Sequence, residues 1–375
     1  MTIAVFHNCR EEVPDDIVPT DDSIVIRSNS VTTTLSHFDN QAGHNWLVVG
    51  RDDIHPALRE GILSYRGELY DVYDRCWMIY QIFSEEEMYL KLMRSVLERG
   101  TERPDRTNVG TRAMFGKRLE FSLQNNRLPV MTTKRVFLKG VVKELLWFLG
   151  GATNASSLRD DGVHIWDGNS TRAYLDSRGL DSYEEGELGP VYGYQWRNWG
   201  KPYTKNGTDR STGVDQVENI IRTIRENPFD RRMVMSAWNV SDIPKMALPP
   251  CHIFAQFYVE NDCVTNTMRL SCSMYQRSAD LFLGVPFNIT SYALLTHMIA
   301  HVTGCVADKL IMNFGDAHIY NNHIEQVKTQ LDRPGFKFPK ITIDCDTEDI
   351  DDIKYEHFKV DGYECHPGIK APMAV

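Results

Sequence analysis

Five kinds of reactive or recognising side chain crowd into one short stretch of the chain. Pro249-Pro250-Cys251-His252 supplies a thiol, Gln276-Arg277-Ser278-Ala279-Asp280 a cation, a hydroxyl and a carboxylate, and Gly284-Val285-Pro286-Phe287-Asn288 a side-chain amide. A cysteine reacts as its thiolate, and an arginine is a permanent cation able to lower a neighbouring thiol's pKa. Cys251 with Arg277 fits that pairing. The same guanidinium, with the Ser278 hydroxyl, can hold a phosphate through charge-assisted hydrogen bonds. Asn288 carries a donor and an acceptor on one planar group, which suits the edge of a heterocyclic base. A nucleotide attacked by sulfur is the chemistry this set describes. Singly, each residue has a plainer explanation: a lone cysteine is usually a small buried hydrophobe. An asparagine after Pro-Phe and ahead of an apolar run is most often a helix N-cap. Order and spacing taken together favour chemistry.

Several elements must position these residues. Ser84-Glu85-Glu86-Glu87 is a capping box, and Tyr89, Leu92, Met93, Val96 and Leu97 follow the helical period up to Gly100. Val141 to Leu149 reads as a buried helix closed by Gly150-Gly151, and Val217, Ile220, Ile221 and Ile224 mark an amphipathic helix ending before Pro228. Arg232 to Trp238, Ile253 to Val259 and Met268 to Tyr275 read as strands, the last two joined through the polar residues 260–267. Ile289 to Thr303 reads as helix and Lys309 to Phe314 as strand. The expected fold class is α+β, or mixed α/β, with helices packed on one face of a large twisted sheet. Residues 1–83 form a separate extension of unknown fold, with short apolar runs at Ile3 to Phe6, Ile24 to Ile26 and Trp46 to Val49. Residues 84–375 are expected to form the larger domain.

Composition excludes some classes. At 375 residues there is room for one large domain and a small one. A formal charge of −10 argues against DNA binding, whose footprint is basic. Eight cysteines show no C-x-x-C pair and no metal-type spacing, so no metal is expected and free thiols in a reducing compartment are. No stretch reaches the roughly 18 apolar residues of a membrane span, and Asp15, Asp16, Asp21 and Asp22 do not suit a signal peptide. The expectation is a cytoplasmic protein without membrane contact.

Longer blocks carry a resemblance. Arg106-Thr107, Thr132-Thr133-Lys134-Arg135, Glu144 to Phe148, Ile165-Trp166-Asp167, Leu188 to Gly193, Arg231-Arg232, Ala237-Trp238-Asn239, Gly315 to Tyr320 and Ala371 to Val375 join the thiol and Gln-Arg-Ser blocks. From Ser84 to Val375 the chain resembles the thymidylate synthases. That resemblance implies reductive methylation of dUMP with 5,10-methylenetetrahydrofolate as carbon and hydride donor. It also implies an obligate homodimer joined through the sheet.

Residue by residue, the resemblance makes Cys251 the nucleophile at uracil C6. Asn288 becomes the reader of the base edge, Glu144 a proton relay, and Tyr192 the helper in loss of the C5 proton. It gives the phosphate to Arg106, Arg277 and Ser278, with the partner's Arg231 and Arg232, and the sugar hydroxyl to His318 and Tyr320. Gln276 joins the dUMP set. For the folate it implies Asp280 as a catalytic and pterin-binding carboxylate, with Trp166, Leu283, Gly284, Phe287, Met373 and Ala374 around it, and an apolar C-terminus closing as a lid. Asn108 departs from the glycine common after Arg-Thr, and the 260–267 hairpin is longer than usual. Two rival readings are a dUMP hydroxymethylase, in which water replaces hydride, and a non-catalytic nucleotide- or RNA-binding regulator.

Overall fold

The computed structural model describes residues 2–7, 23–28, 46–50, 64–72 and 75–81 as backbone strands, and then residues 85–204, 212–263 and 265–373. Two compact units emerge, one of residues 1–90 with 335–337 and one of residues 91–334 with 338–375.

In the first unit the three apolar runs of the sequence become strands β1 (Thr2–His7), β2 (Ser23–Ser28) and β3 (Trp46–Gly50). β1 and β2 pair in parallel, while β3, β5 (Arg75–Gln81) and β4 (Ser64–Val72) form an antiparallel sheet in the order β3-β5-β4. Ser84, the expected cap, lies outside the described residues, and helix α1 (Glu85–Arg99) follows.

In the second unit the sheet order is β6-β7-β11-β10-β9-β8. The strands are β6 (Thr101–Arg103), β7 (Thr111–Ser122), β8 (Val234–Ser236), β9 (His252–Asp262), β10 (Thr267–Asp280) and β11 (Val306–Tyr320). β10 and β11 are parallel and every other neighbour pair is antiparallel. A parallel pair needs a crossover, and helix α5 (Gly284–Thr303) supplies it. It is apolar almost all round and nearly every residue from Val285 to Val302 is buried, as befits a helix in the centre of a core.

Three shorter helices pack beside it: α2 (Leu138–Leu149), α3 (Tyr192–Asn198) and α4 (Gln216–Glu226). Asp215 caps α4 by accepting from Glu218 N at 2.9 Å, and Val217, Ile220, Ile221 and Ile224 are its buried stripe. The fully buried α3 is held by Arg197, whose guanidinium lies 3.0 Å from Asp215 and 2.6 Å from Asp351. Helix α6 (Ile324–Leu331) and the hairpin of β12 (Lys340–Ile343) and β13 (Phe358–Asp361) complete the unit.

Three expectations change in extent. The strand expected over 232–238 shrinks to β8, because Asp230 accepts from Arg232 N at 2.8 Å and holds that residue in a turn. The strand expected at Lys309 to Phe314 runs on to Tyr320, because β7 and β10 pair it on both sides. The polar joint at 260–267 is half ladder: residues 260–262 and Thr267 stay in the strands, and Asp262 pairs with Thr267.

One sheet face carries the helices. The other leaves Phe254, Tyr258 and Tyr275 at 39, 49 and 37% exposure, Phe254 lying opposite Tyr275 in the ladder. Among the described residues no helix is long and apolar enough to cross a membrane, and no group of three or more metal-ligating side chains occurs.

Candidate active site

Cys251 ends the Pro-Pro turn just before β9, and its position is fixed from two sides. Its backbone N–H donates to the Tyr192 hydroxyl at 2.7 Å, and its carbonyl accepts from Arg277 N at 2.8 Å. The Arg277 guanidinium donates to the carbonyls of Pro250 at 2.7 Å and Pro249 at 3.0 Å, and lies 5.2 Å over the Trp238 ring. The arginine therefore clamps the turn that presents the thiol, a duty invisible in the sequence. The expected depression of the thiol pKa meets a stronger opponent. Burial pushes the Cys251 thiol up, and the charge of Arg277, a hydrogen bond from Tyr192 and the charge of Arg106 only partly offset it.

Tyr192 opens α3 and Glu144 lies on α2, so two packed helices bring a phenol and a carboxyl to one place. Burial pushes the Glu144 carboxyl up to about 7, against a hydrogen bond from Trp166 Nε1 at 2.8 Å. Burial likewise raises the Tyr192 phenol well above its ordinary value, with the negative charge of Cys251 adding to it. The indole of Trp166 is thus a partner of Glu144 as well as an apolar wall, and it is 8% exposed. His252, beside the thiol, is no base: burial drives its pKa down to about 3, its ring stacks on Tyr192 at 4.1 Å, and its Nδ1 meets the Tyr292 hydroxyl at 2.9 Å.

Asn288 lies within α5, not ahead of it, because the helix starts four residues earlier at Gly284. Its Oδ1 accepts from Gln276 Nε2 at 3.0 Å, so the buried Gln276 fixes the plane of the amide. Asp280 ends β10 and accepts from Phe282 N at 3.0 Å and Leu283 N at 3.2 Å, holding the turn into α5 where Leu283, Gly284 and Phe287 follow. Its charge is felt at Cys251 and at Tyr320. Lys134, unassigned from the sequence, is buried over the Phe282 ring and donates to the Phe282 carbonyl. Burial lowers its pKa to about 7 against the charge of Asp280. The signal was its place in the Thr-Thr-Lys-Arg block.

Arg106 is exposed, on a loop held by Asp105, which accepts from Thr107 N at 2.8 Å, from the Thr107 hydroxyl and from Gly110 N at 2.6 Å. Asn108 in that loop has φ +61°, a left-handed conformation that asparagine tolerates better than most side chains and glycine best. The departure from glycine therefore leaves the turn in place. Ser278 is half-buried on β10, opposite Asp316 of β11, and His318 and Tyr320 alternate further along β11 on one face.

Arg231 and Arg232 do not join the group within one chain. Both are exposed, and the Arg232 side chain retains 91% of its surface. Met373 is 50% exposed, Ala374 and Val375 lie outside the described residues, and the tail before them is tied down where His323 Nε2 meets the Pro372 carbonyl at 2.7 Å. That histidine was not anticipated either.

The candidate site thus brings together a clamped thiol, a phenol, a cation and a carboxyl poised near neutrality. Comparison with known proteins gives the chain its family. A family model described as thymidylate synthase matches residues 87–375. The chain is 53% identical over 294 residues to thymidylate synthase of Agaricus bisporus, covering 78% of this chain and 99% of that one. It is 53% identical over 291 residues to that of Homo sapiens, covering 77 and 91%. Against a probable thymidylate synthase of Schizosaccharomyces pombe identity is also 53%, over 298 residues, and the match spans only 48% of that longer relative. The chain belongs to the thymidylate synthase family.

Proposed function

We propose that the chain converts dUMP to dTMP through a covalent bond between Cys251 and uracil C6, with 5,10-methylenetetrahydrofolate supplying carbon and hydride. It is a methyltransferase of nucleotide biosynthesis, as its family membership entails. Uracil C5 is a poor nucleophile until the thiolate adds to C6. The C5–C6 electron pair then moves onto C5 and O4 as an enolate, dividing one hard step into easier ones. C5 bonds to the folate's methylene carbon as that carbon's bond to N10 breaks and N10 takes a proton; C5 then loses its own proton and expels N5 to leave an exocyclic methylene. Hydride from the folate reduces that carbon while sulfur departs, giving dTMP and dihydrofolate.

Negative charge gathers at O4 on the first step, and a fixed donor there stabilises the transition state more than the ground state. That edge and N3 fall to Asn288, and the bond that steadies its amide against Gln276 supports the assignment. Glu144, with a pKa lifted to about 7, can give or take a proton near neutrality, and Tyr192 assists departure of the C5 proton. Phosphate falls to Arg106, Arg277 and Ser278 with the partner's Arg231 and Arg232, the sugar to His318 and Tyr320. The folate falls to Asp280, Leu283, Gly284, Phe287, Trp166 and the C-terminal Met373 and Ala374.

A homodimer is part of this reading, because the uncovered Phe254, Tyr258 and Tyr275 form an apolar face of the kind a partner buries. Residues 1–83 are proposed as a separate extension. Six described cysteines are all free, which suits the cytoplasm. The observation that carries the proposal is the convergence on one sulfur of Arg277, Tyr192 and Arg106 next to a carboxyl that burial lifts into the neutral range. Incubation with dUMP and methylenetetrahydrofolate should yield dTMP and dihydrofolate in equal amounts by mass analysis, and Cys251→Ala should bind dUMP without turnover. Hydroxymethyl-dUMP with tetrahydrofolate would instead show water taking the place of hydride.

A further inference from the structure

We propose that Asp316 is a positioning residue for the sugar end of the site, orienting His318 with one carboxylate oxygen and anchoring the root of the Arg106 loop with the other. The inference rests on the reading of His318 and Tyr320 as the pair that holds the 3′-hydroxyl. Asp316, His318 and Tyr320 are alternate residues of β11 and face the same way. Asp316 Oδ1 lies 3.1 Å from His318 Nδ1, and Asp316 Oδ2 accepts from Arg103 Nη1 at 2.7 Å. Arg103 is the last residue of β6, three positions before Arg106, with Asp105 bracing the turn between them.

The chemistry of the donors gives this geometry a purpose. A carboxylate only accepts, so its bond to Nδ1 puts the ring proton there and leaves Nε2 of the neutral imidazole as an acceptor. The hydrogen bond from His318, with the charge of Arg103, holds the Asp316 carboxyl below its ordinary value against burial, so the acceptor is ionised. The Tyr320 ring meets the His318 ring edge-on at 5.2 Å, and burial lifts its phenol to about 12, so that group stays a proton donor. An acceptor beside a donor matches an alcohol, which has one proton to give and lone pairs to offer. The backbone carbonyl of residue 316 lies 3.3 Å from the same Nδ1, so without the carboxylate only that longer contact would oppose the other tautomer, which presents a second donor that a hydroxyl serves less well. The Arg103 bond adds a mechanical link, because the carboxylate that sets the sugar contact also ties down the chain leading to the phosphate arginine.

The test compares dUMP with its 3′-deoxy analogue as substrates and as ligands of the full chain. The unaltered enzyme is expected to favour dUMP by about tenfold in kcat/KM, the upper worth of one neutral hydrogen bond. Asp316→Asn and His318→Asn should each shrink that preference to a few-fold, and the double variant should shrink it no further, since residues acting through one another are not additive. Preference retained in Asp316→Asn but lost in His318→Asn overturns the inference and leaves the sugar reading standing. Preference retained in His318→Asn, or absent from the unaltered enzyme, overturns both. Arg103→Gln covers the case in which Asp316→Asn does not fold, because the Arg103 side chain is 56% exposed. It should lower the preference in the same direction, and an unchanged preference in the folded variant overturns the tether.

Discussion

At Cys251 two influences oppose each other. Burial disfavours the thiolate, while Arg277, Tyr192 and Arg106 favour it, and burial prevails in the free enzyme. Alkylation by iodoacetamide should therefore keep accelerating as pH rises past about 8.5, the ordinary value for a cysteine. A rate that levels off below pH 8 would show the cations winning instead. Glu144 offers a second titration. Its pKa in the folded chain, about 7, exceeds the ordinary 4.5, so the folded state binds more protons between those values. Stability from this group is complete below about pH 4.5 and falls away as pH rises to about 7. Glu144→Gln, which does not titrate, should gain melting temperature relative to the parent across that window, by the equivalent of at most about 3 kcal/mol. Its turnover should drop by about 100-fold or more. A melting difference that stays flat with pH would mean that the carboxyl is not raised.

Between elements, α2 and α3 fit closely. A methyl group added at Gly193 would come within 2.8 Å of the Phe148 Cα, so the helix carrying Tyr192 can approach the helix carrying Glu144 only with glycine there. Gly193→Ala should cost about 1–3 kcal/mol in thermal or denaturant unfolding and lower kcat by spreading the two groups. Full activity with unchanged stability would place the helices further apart than described. The two helices differ in how plainly the sequence shows them. Val141 to Leu149 is long, apolar and closed by two glycines, so α2 was legible and merely starts three residues earlier, at Leu138. Seven-residue α3 was not, because it is buried on every side and gives no polar stripe for a period to emerge. Asn288 shows the same limit: Gly and Pro at 284 and 286 hide a helix start that tertiary packing imposes. The residues proposed for chemistry were readable because their types are rare in combination. The residues that hold them, such as Asp316 and His323, were not, because only folding brings together partners 213 and 49 positions apart.

For the whole molecule, the exposed arginines and the uncovered aromatic face belong to one prediction. If the partner's Arg231 and Arg232 complete each site, Arg232→Ala and Cys251→Ala homodimers should each be nearly inactive. Mixing the two under conditions that exchange subunits should restore turnover, because one site of each hybrid then has an intact thiol and an intact arginine. Light scattering should report two chains per particle. Mixtures as inactive as their parents, with dimers exchanging freely, would confine the site to one chain.

Arg197 has a bearing on how the chain is made. It sits 2% exposed between Asp215 and Asp351, and the second of these emerges from the ribosome after Tyr320, the last residue proposed for the nucleotide. A translation product broken off in between would possess the thiol and every residue proposed for the nucleotide and still enclose a cation without the Asp351 carboxylate. Removing one partner from a buried ion pair costs about 3–5 kcal/mol. Unfinished copies should accordingly be cleared by proteases instead of lingering as partial catalysts.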